Sequence, residues 1–259
     1  RHNLKWILFW SFILMKKYNI IFHDHSNKLL NWNILFYLYK NKISHIIVNK
    51  ELFSKQINGH IFSNIYYLEN CINTFQTVKE YRKSSGIYSF VIVSNIKKTK
   101  NIHFAIEMLT IVSNTIKIEL DIYYANYDLE YLKALQKSSE GKPKQFKINF
   151  IFGKLQPQKY FYKYDLALHP SLKESGPLVV LEYLYQGLPF LSFNTGQSNV
   201  LVKEHFPEFI MLDFEEKKWA SQLMVLIDKG REFYQNNLKI FFKKKYSQEN
   251  YLLKCRKIY

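Results

Sequence analysis

Cysteine is nearly missing from this chain. Cys71 and Cys255 are its two thiols, far apart and in no metal-ligand spacing, so free thiols of a reducing compartment are expected and a disulfide framework is excluded. Long apolar runs are missing too. The most apolar stretch, residues 6–15, is 10 residues long, against the roughly 20 needed to cross a bilayer. It reads as a buried helix, with Trp6 and Trp10 leaving interfacial contact open. No secretory signal, internal repeat or low-complexity tract stands out beyond Lys243-Lys244-Lys245. Acids are scarce: 21 Asp and Glu face 37 Lys and Arg, a net charge of +16. That balance favours anionic partners such as nucleotides, lipid head groups or nucleic acid. Half of the excess lies in residues 1–83, which hold 12 basic and 4 acidic residues. The basic residues are scattered and form no nucleic-acid motif, so a nucleic-acid-binding protein is the weakest reading and none is expected as a partner.

What is present is an α/β pattern. From residue 88 onward, β-rich runs at 89–94, 116–123, 146–152, 165–169 and 189–193 alternate with helix candidates at 102–113, 128–138, 157–164 and 177–186. Alternation of this kind predicts a doubly wound parallel sheet. Ligands in such sheets sit at the carboxyl ends of the strands. Residues 1–83 read as a smaller, incomplete α/β domain, with strands at 19–23, 43–48 and 64–68 and helices at 4–17, 29–40 and 50–56. The polar stretch 79–86 is the expected linker. The domain expectation is therefore 1–83, 84–245, and a terminal helix at 246–259.

One stretch is chemically unusual: His169-Pro170-Ser171-Leu172-Lys173-Glu174-Ser175-Gly176-Pro177-Leu178-Val179-Val180-Leu181-Glu182. Pro177 suits a first helical position, and Gly187 with Pro189 reads as the stop. The helix between them is apolar almost all round, which places Glu182 in a dry setting. A carboxylate there costs on the order of several kcal/mol unless it is paired or accepts hydrogen bonds. The free amides at the helix start suit a phosphate. A nucleoside diphosphate meets both demands, with phosphates at the helix start and ribose hydroxyls on Glu182. The plainer reading is a dipole-favoured acid and a lysine-paired carboxylate.

In these residues the chain resembles the retaining glycosyltransferases of GT-B architecture, family 4 (glycosyl transferases group 1). The resemblance rests on Pro170-Ser171, on Glu174 and Glu182 separated by seven residues with Gly176 between, on Gly187-Leu188-Pro189, and on Thr195-Gly196. It covers roughly residues 88–259 well and the first part weakly. Residues 246–259 resemble the family's last helix, which crosses back to the first domain. The resemblance implies a GT-B-like fold with an incomplete amino-terminal domain. It assigns Glu182 to the ribose and Glu174 to the donor sugar. Ser175, Gly176, Pro177 and Leu178 would line sugar and pyrophosphate, and Gly153 with Phe152 and Lys154 the loop near the base.

Lys100 matches the family's phosphate-binding lysine by position, while Asn95 stands where the family carries arginine. An amide does not replace a planar bidentate donor; either Lys97 or Lys98 supplies charge there or turnover is compromised, and a plain solvated loop is equally open for these two lysines. His23, ending the strand in Ile20-Ile21-Phe22-His23-Asp24-His25, resembles the histidine that faces the donor sugar, with His25 as runner-up and an ordinary strand-end histidine equally open. A metal site at the two histidines lacks a third ligand. The glycine-rich loop that opens the family's first domain is not found, so the amino-terminal domain reads as truncated.

The activity implied is metal-independent transfer, with retention, of a sugar from a UDP-, GDP- or TDP-sugar to a glycan or lipid-linked acceptor in surface polysaccharide synthesis. No cofactor is implied. The expected setting is cytoplasmic, with peripheral contact at the inner face of the plasma membrane. The rival expectation is a non-catalytic relic that binds nucleotide only.

Overall fold

The computed structural model describes residues 20–24, 43–48, 65–68, 70–72, 80–81, 86–154 and 156–258. The chain divides into two compact units, Arg1–Glu69 with Glu249–Tyr259, and Asn70–Gln248.

The first unit holds a three-stranded parallel sheet in the order β1-β2-β3, formed by β1 (Ile20–Asp24), β2 (Ile43–Val48) and β3 (Ile65–Tyr67). β1 pairs with β2 so that His23 lies opposite Ile47 in register. The helices expected at 4–17, 29–40 and 50–56, and the apolar stretch 6–15, lie outside the described residues, as does most of the expected linker.

The second unit is a six-stranded sheet. Its strands are β4 (Tyr88–Val93), β5 (Ile118–Tyr124), β6 (Phe146–Phe152), β7 (Leu166–His169), β8 (Phe190–Phe193) and β9 (Ile210–Met211). All neighbours run parallel, in the order β6-β5-β4-β7-β8-β9. Counted from β4, this is the 3-2-1-4-5-6 order of a doubly wound dinucleotide-type sheet. The central strands are apolar on both faces, as a covered parallel sheet requires. Phe90, Val91 and Ile92 of β4 and every residue of β7 are buried.

Helices follow the strands: α1 (Ile102–Val112), α2 (Leu129–Glu140), α3 (Leu178–Gln186), α4 (Gln197–His205), α5 (Glu216–Lys229) and α6 (Arg231–Tyr246); α7 (Gln248–Ile258), apart from Gln248, belongs to the first unit. Right-handed crossovers wind outward from β4 in opposite directions, so α1 and α3 cover opposite faces. On one face α1 packs against α5, and on the other α3 packs against α6. Trp219 of α5 fills the first contact, edge-on to Phe104 of α1 at 5.1 Å and stacked with Phe214. Gly187 fills the second. It ends α3 at φ +61, and a Cβ there would lie 2.6 Å from the Gln235 carbonyl of α6. Only glycine permits both the turn and the approach.

Two expectations change. The helix expected at 157–164 is a 3-10 helix, Pro157–Lys163, entered through Gln156 at φ +54. Pro177 is not the first helical residue but the cap before it: its ψ of 112 is extended, and α3 starts at Leu178.

Candidate functional site

β4 and β7 are neighbours whose connections leave in opposite directions, and the loops beyond their carboxyl ends flank the crevice where such sheets bind ligands. Beyond β4, Ile96 is buried and bridges to Tyr127. Its amide donates to Asn126 O at 2.9 Å, and its carbonyl accepts from Asp128 N at 2.8 Å. Asn95 Oδ1 accepts from Asn126 N at 3.1 Å. Asn95 thus ties this loop to the one after β5 and brings no charge. A 3-10 turn, Lys98–Lys100, and Asn101 at φ +52 then lead into α1. Lys97 and Lys98 are exposed, while Lys100 is directed across to the β7 loop.

The β7 loop is pinned from several sides. Leu172 N donates to Thr99 O at 2.9 Å, Glu174 N to Thr195 Oγ1 at 2.9 Å, Gln197 N to Ser175 O at 3.1 Å, and Asn70 Nδ2 to Gly176 O at 2.8 Å. Gly196, at φ +76, passes so close that a Cβ would meet Pro177 Cδ at 2.7 Å and Glu174 Cβ at 3.0 Å. Within this frame Lys100 Nζ donates to Glu174 Oε1, and His169 Nε2 lies 3.6 Å from the same oxygen. His169 is buried. Desolvation lowers its pKa to about 4, against the pull of Glu174, so the ring is neutral at physiological pH.

Downstream, the first amides of α3, at Leu178 and Val179, have no intrahelical acceptor and add the positive end of the helix dipole to the crevice. Ser175 and Leu178 are exposed, Gly176 is half-buried and Pro177 buried. Glu182, one turn further on, is mostly buried. Burial raises its pKa to about 7, with a hydrogen bond from Gln158 Nε2 (2.5 Å to Oε1) opposing. The dry carboxylate expected from the sequence is present.

Gly153, at φ +67, turns the chain after β6, and its amide donates to Tyr124 O at 2.9 Å. Lys154 Nζ sits 4.7 Å over the Tyr160 ring. The rings of Tyr124, Tyr127 and Phe152 meet beside this turn at 5.3 to 5.9 Å.

Behind the site, the Arg231 guanidinium is buried at the start of α6. It donates to Phe161 O at 2.5 Å, Tyr164 O at 2.7 Å and Gln186 O at 3.1 Å. It therefore joins the end of the 3-10 helix to the end of α3. Burial lowers its pKa to about 10, which leaves it charged.

The fold brings Lys100 onto Glu174 and sets Glu182 on the helix that the Glu174 loop leads into. His23 ends a strand of the other unit, and its side chain lies outside the described residues. Sequence reasoning assigned no role to His169, Thr195, Asn70, Gln158 or Arg231. His169 ends a strand directly before Pro170-Ser171, and Gln158 follows a proline that starts a turn, but neither position signals a partner by itself. Among the described residues no group of three His, Cys, Asp or Glu is placed to hold a metal, and no helix is long and apolar enough to cross a membrane.

Comparison with curated proteins finds no match. Solved structures share the fold. HepE of Anabaena in complex with UDP superposes with a TM-score of 0.75 at 17% identity, covering 98% of this chain and 75% of that one. Sucrose-phosphate synthase from Thermosynechococcus elongatus gives 0.72 at 11% identity, covering 98% and 70%. A mutant TarM of S. aureus, solved with fondaparinux, alpha-GlcNAc-glycerol and UDP, gives 0.69 at 17% identity. The chain covers 44% of TarM, under half its length. The architecture is that of GT-B glycosyltransferases. The family described as glycosyl transferases group 1 matches residues 75–239, from before β4 into α6, the stretch that carries Lys100, Glu174 and Glu182. The chain belongs to the glycosyl transferases group 1 family.

Proposed function

We propose that this chain transfers a sugar from a nucleoside diphosphate donor to a glycan or lipid-linked acceptor, with retention at the anomeric carbon, as a family 4 enzyme of surface polysaccharide synthesis. The observation that carries the reading is the meeting of Lys100 and Glu174 at the mouth of the β4 and β7 loops, directly ahead of the free amides of α3. Lys100 and those amides neutralise the diphosphate. Glu182 accepts from the ribose, and Glu174 faces the sugar. The bond from the anomeric carbon to the leaving phosphate breaks, and the acceptor oxygen bonds to that carbon on the same face. The acceptor proton passes to the leaving phosphate. His169 is neutral and so is no imidazolium acid; its Nε2 lies 3.6 Å from Glu174 Oε1. His23 is proposed as the histidine that contacts the donor sugar. The setting proposed is the cytoplasmic membrane surface, where the basic first third meets lipid-linked acceptors.

The test is titration calorimetry with UDP-, GDP- and TDP-sugars, followed by a transfer assay. Absence of binding by every donor rejects the reading.

A second reading is favoured by Asn95, whose side chain is engaged with Asn126 where the family carries a phosphate-binding arginine. In it the chain binds nucleotide without turnover. Sugar transfer that disappears in Glu174→Ala rejects that reading.

A further inference from the structure

Gln158 has one polar atom occupied and one empty. Its Nε2 donates to Glu182 Oε1 at 2.5 Å, while its own carbonyl oxygen, Oε1, is buried and accepts from no group among the described residues. Turned over, the amide would set Oε1 against Glu182 Oε1, which is unfavourable whenever that carboxyl is ionised. A buried acceptor left empty is costly. The arrangement persists because the elements carrying it are held. Arg231 joins the 3-10 helix of Gln158 to the end of α3, which carries Glu182. Gln156, a non-glycine residue at φ +54, sets the entry to that 3-10 helix, a conformation that needs surrounding structure to persist. The one hydrogen bond that Glu182 receives among the described residues goes to Oε1, leaving acceptor capacity on the carboxylate. Two adjacent acceptors with spare capacity call for two adjacent donors. A vicinal diol supplies them.

We propose that Gln158 is a second ribose-binding residue: its Oε1 accepts from one ribose hydroxyl while Glu182 accepts from the other, so that the site selects ribonucleotide donors over deoxyribonucleotide donors. The inference rests on the donor reading above and sharpens it, because it disfavours thymidine diphosphate sugars, which lack the 2′-hydroxyl. Gln158 reads the diol; it takes no part in bond breaking.

The test is calorimetry on the full chain with UDP, GDP, ADP and TDP, then with the 2′-deoxy and 3′-deoxy forms of each ribonucleotide that binds. The wild type is expected to bind each deoxy form about tenfold more weakly. Gln158→Lys keeps a donor for Glu182 but has no acceptor. It is expected to lose the preference at one hydroxyl and keep it at the other, and the ratio is unaffected by what the added charge does to diphosphate affinity. Gln158→Met, similar in length and without polar atoms, is the second variant, with thermal melting to verify its fold. It is expected to lose the preference at one hydroxyl at least. Preferences unchanged in both variants overturn the inference. So does equal loss at both hydroxyls in Gln158→Lys, which would make Gln158 a prop for Glu182. Failure of UDP, GDP, ADP and TDP alike to bind the wild type overturns the donor reading and this inference with it; binding of TDP alone, like the other two results, overturns the inference alone.

Discussion

Lys100 and Glu174 meet across the crevice between the β4 and β7 loops, the ammonium of one donating to Oε1 of the other. Without ligand, each neutralises the other. An arriving diphosphate gives Lys100 a second anion and leaves Glu174 free to turn toward the sugar. Lys100→Ala should weaken nucleoside diphosphate binding roughly tenfold or more, the scale of a lost charge-assisted hydrogen bond. The pair is partly open to solvent, with side-chain exposures of 23% and 15%. Its loss should therefore change unfolding free energy by less than about 1 kcal/mol. Calorimetry and urea unfolding check the two halves, and a large loss of stability with binding intact would make the pair a structural tie.

Gly196 holds the Glu174 loop by having no side chain. Its φ of +76 with ψ of 157 is a region open essentially to glycine, and a Cβ would collide with Pro177 Cδ at 2.7 Å. Gly196→Ala should cost about 1–3 kcal/mol in urea unfolding. It should also displace Glu174, whose Cβ is 3.0 Å from the added carbon. Nucleotide affinity is expected to fall along with stability. Unaltered unfolding would show that the loop yields freely.

Much of this was legible in the sequence where local pattern and global fold agree. The strand at 146–152 and the strand at 43–48 coincide with β6 and β2, and α1 begins at the expected Ile102. Glu174 and Glu182 were visible because acids in those places contradict an ordinary helix. The remainder was hidden for physical reasons. Arg231 lies far from Phe161 and Gln186 in sequence, and no local pattern announces that a guanidinium will end two elements at once. Asn95 was read as a missing arginine. Its actual partner, Asn126, follows another strand, and only the sheet order brings them together. Pro177 was placed one residue too far into its helix. Proline fixes φ but not ψ, and here ψ stays extended.

Arg231 is a stability prediction with a clear control. Three buried carbonyls depend on it, and its own exposure is 2%. Arg231→Met removes all three of these bonds, Phe161 O keeping only the one from Tyr164 N, and should cost about 3 kcal/mol or more in urea unfolding. Arg231→Lys should recover only part of this, since a point-charge ammonium cannot span acceptors that a planar fork reaches together. Full recovery by lysine would mean that charge, and not geometry, holds the two ends.

His169 and Glu182 set opposing pH dependences. Burial raises the Glu182 carboxyl from 4.5 to about 7, and burial lowers the His169 imidazole from 6.5 to about 4. A carboxyl whose folded value lies above its unfolded value binds more protons when folded. Its contribution is complete below about pH 4.5 and is lost as pH rises through 7. A histidine with a lowered value does the reverse: its contribution is complete above about pH 6.5 and is lost as pH falls through 4. Each shift corresponds to at most about 3 kcal/mol, so between pH 4.5 and 6.5 the two slopes nearly cancel in the wild type. Glu182→Gln removes one slope, and this variant should lose stability on acidification from pH 7 to 4 more steeply than the wild type. His169→Gln removes the other, and this variant should gain stability as pH falls from 7 to 5. Urea unfolding at pH 4.5, 5.5, 6.5 and 7.5 separates the three proteins. Parallel profiles would show that neither group titrates between its folded and unfolded values, and that the crevice admits water freely to both.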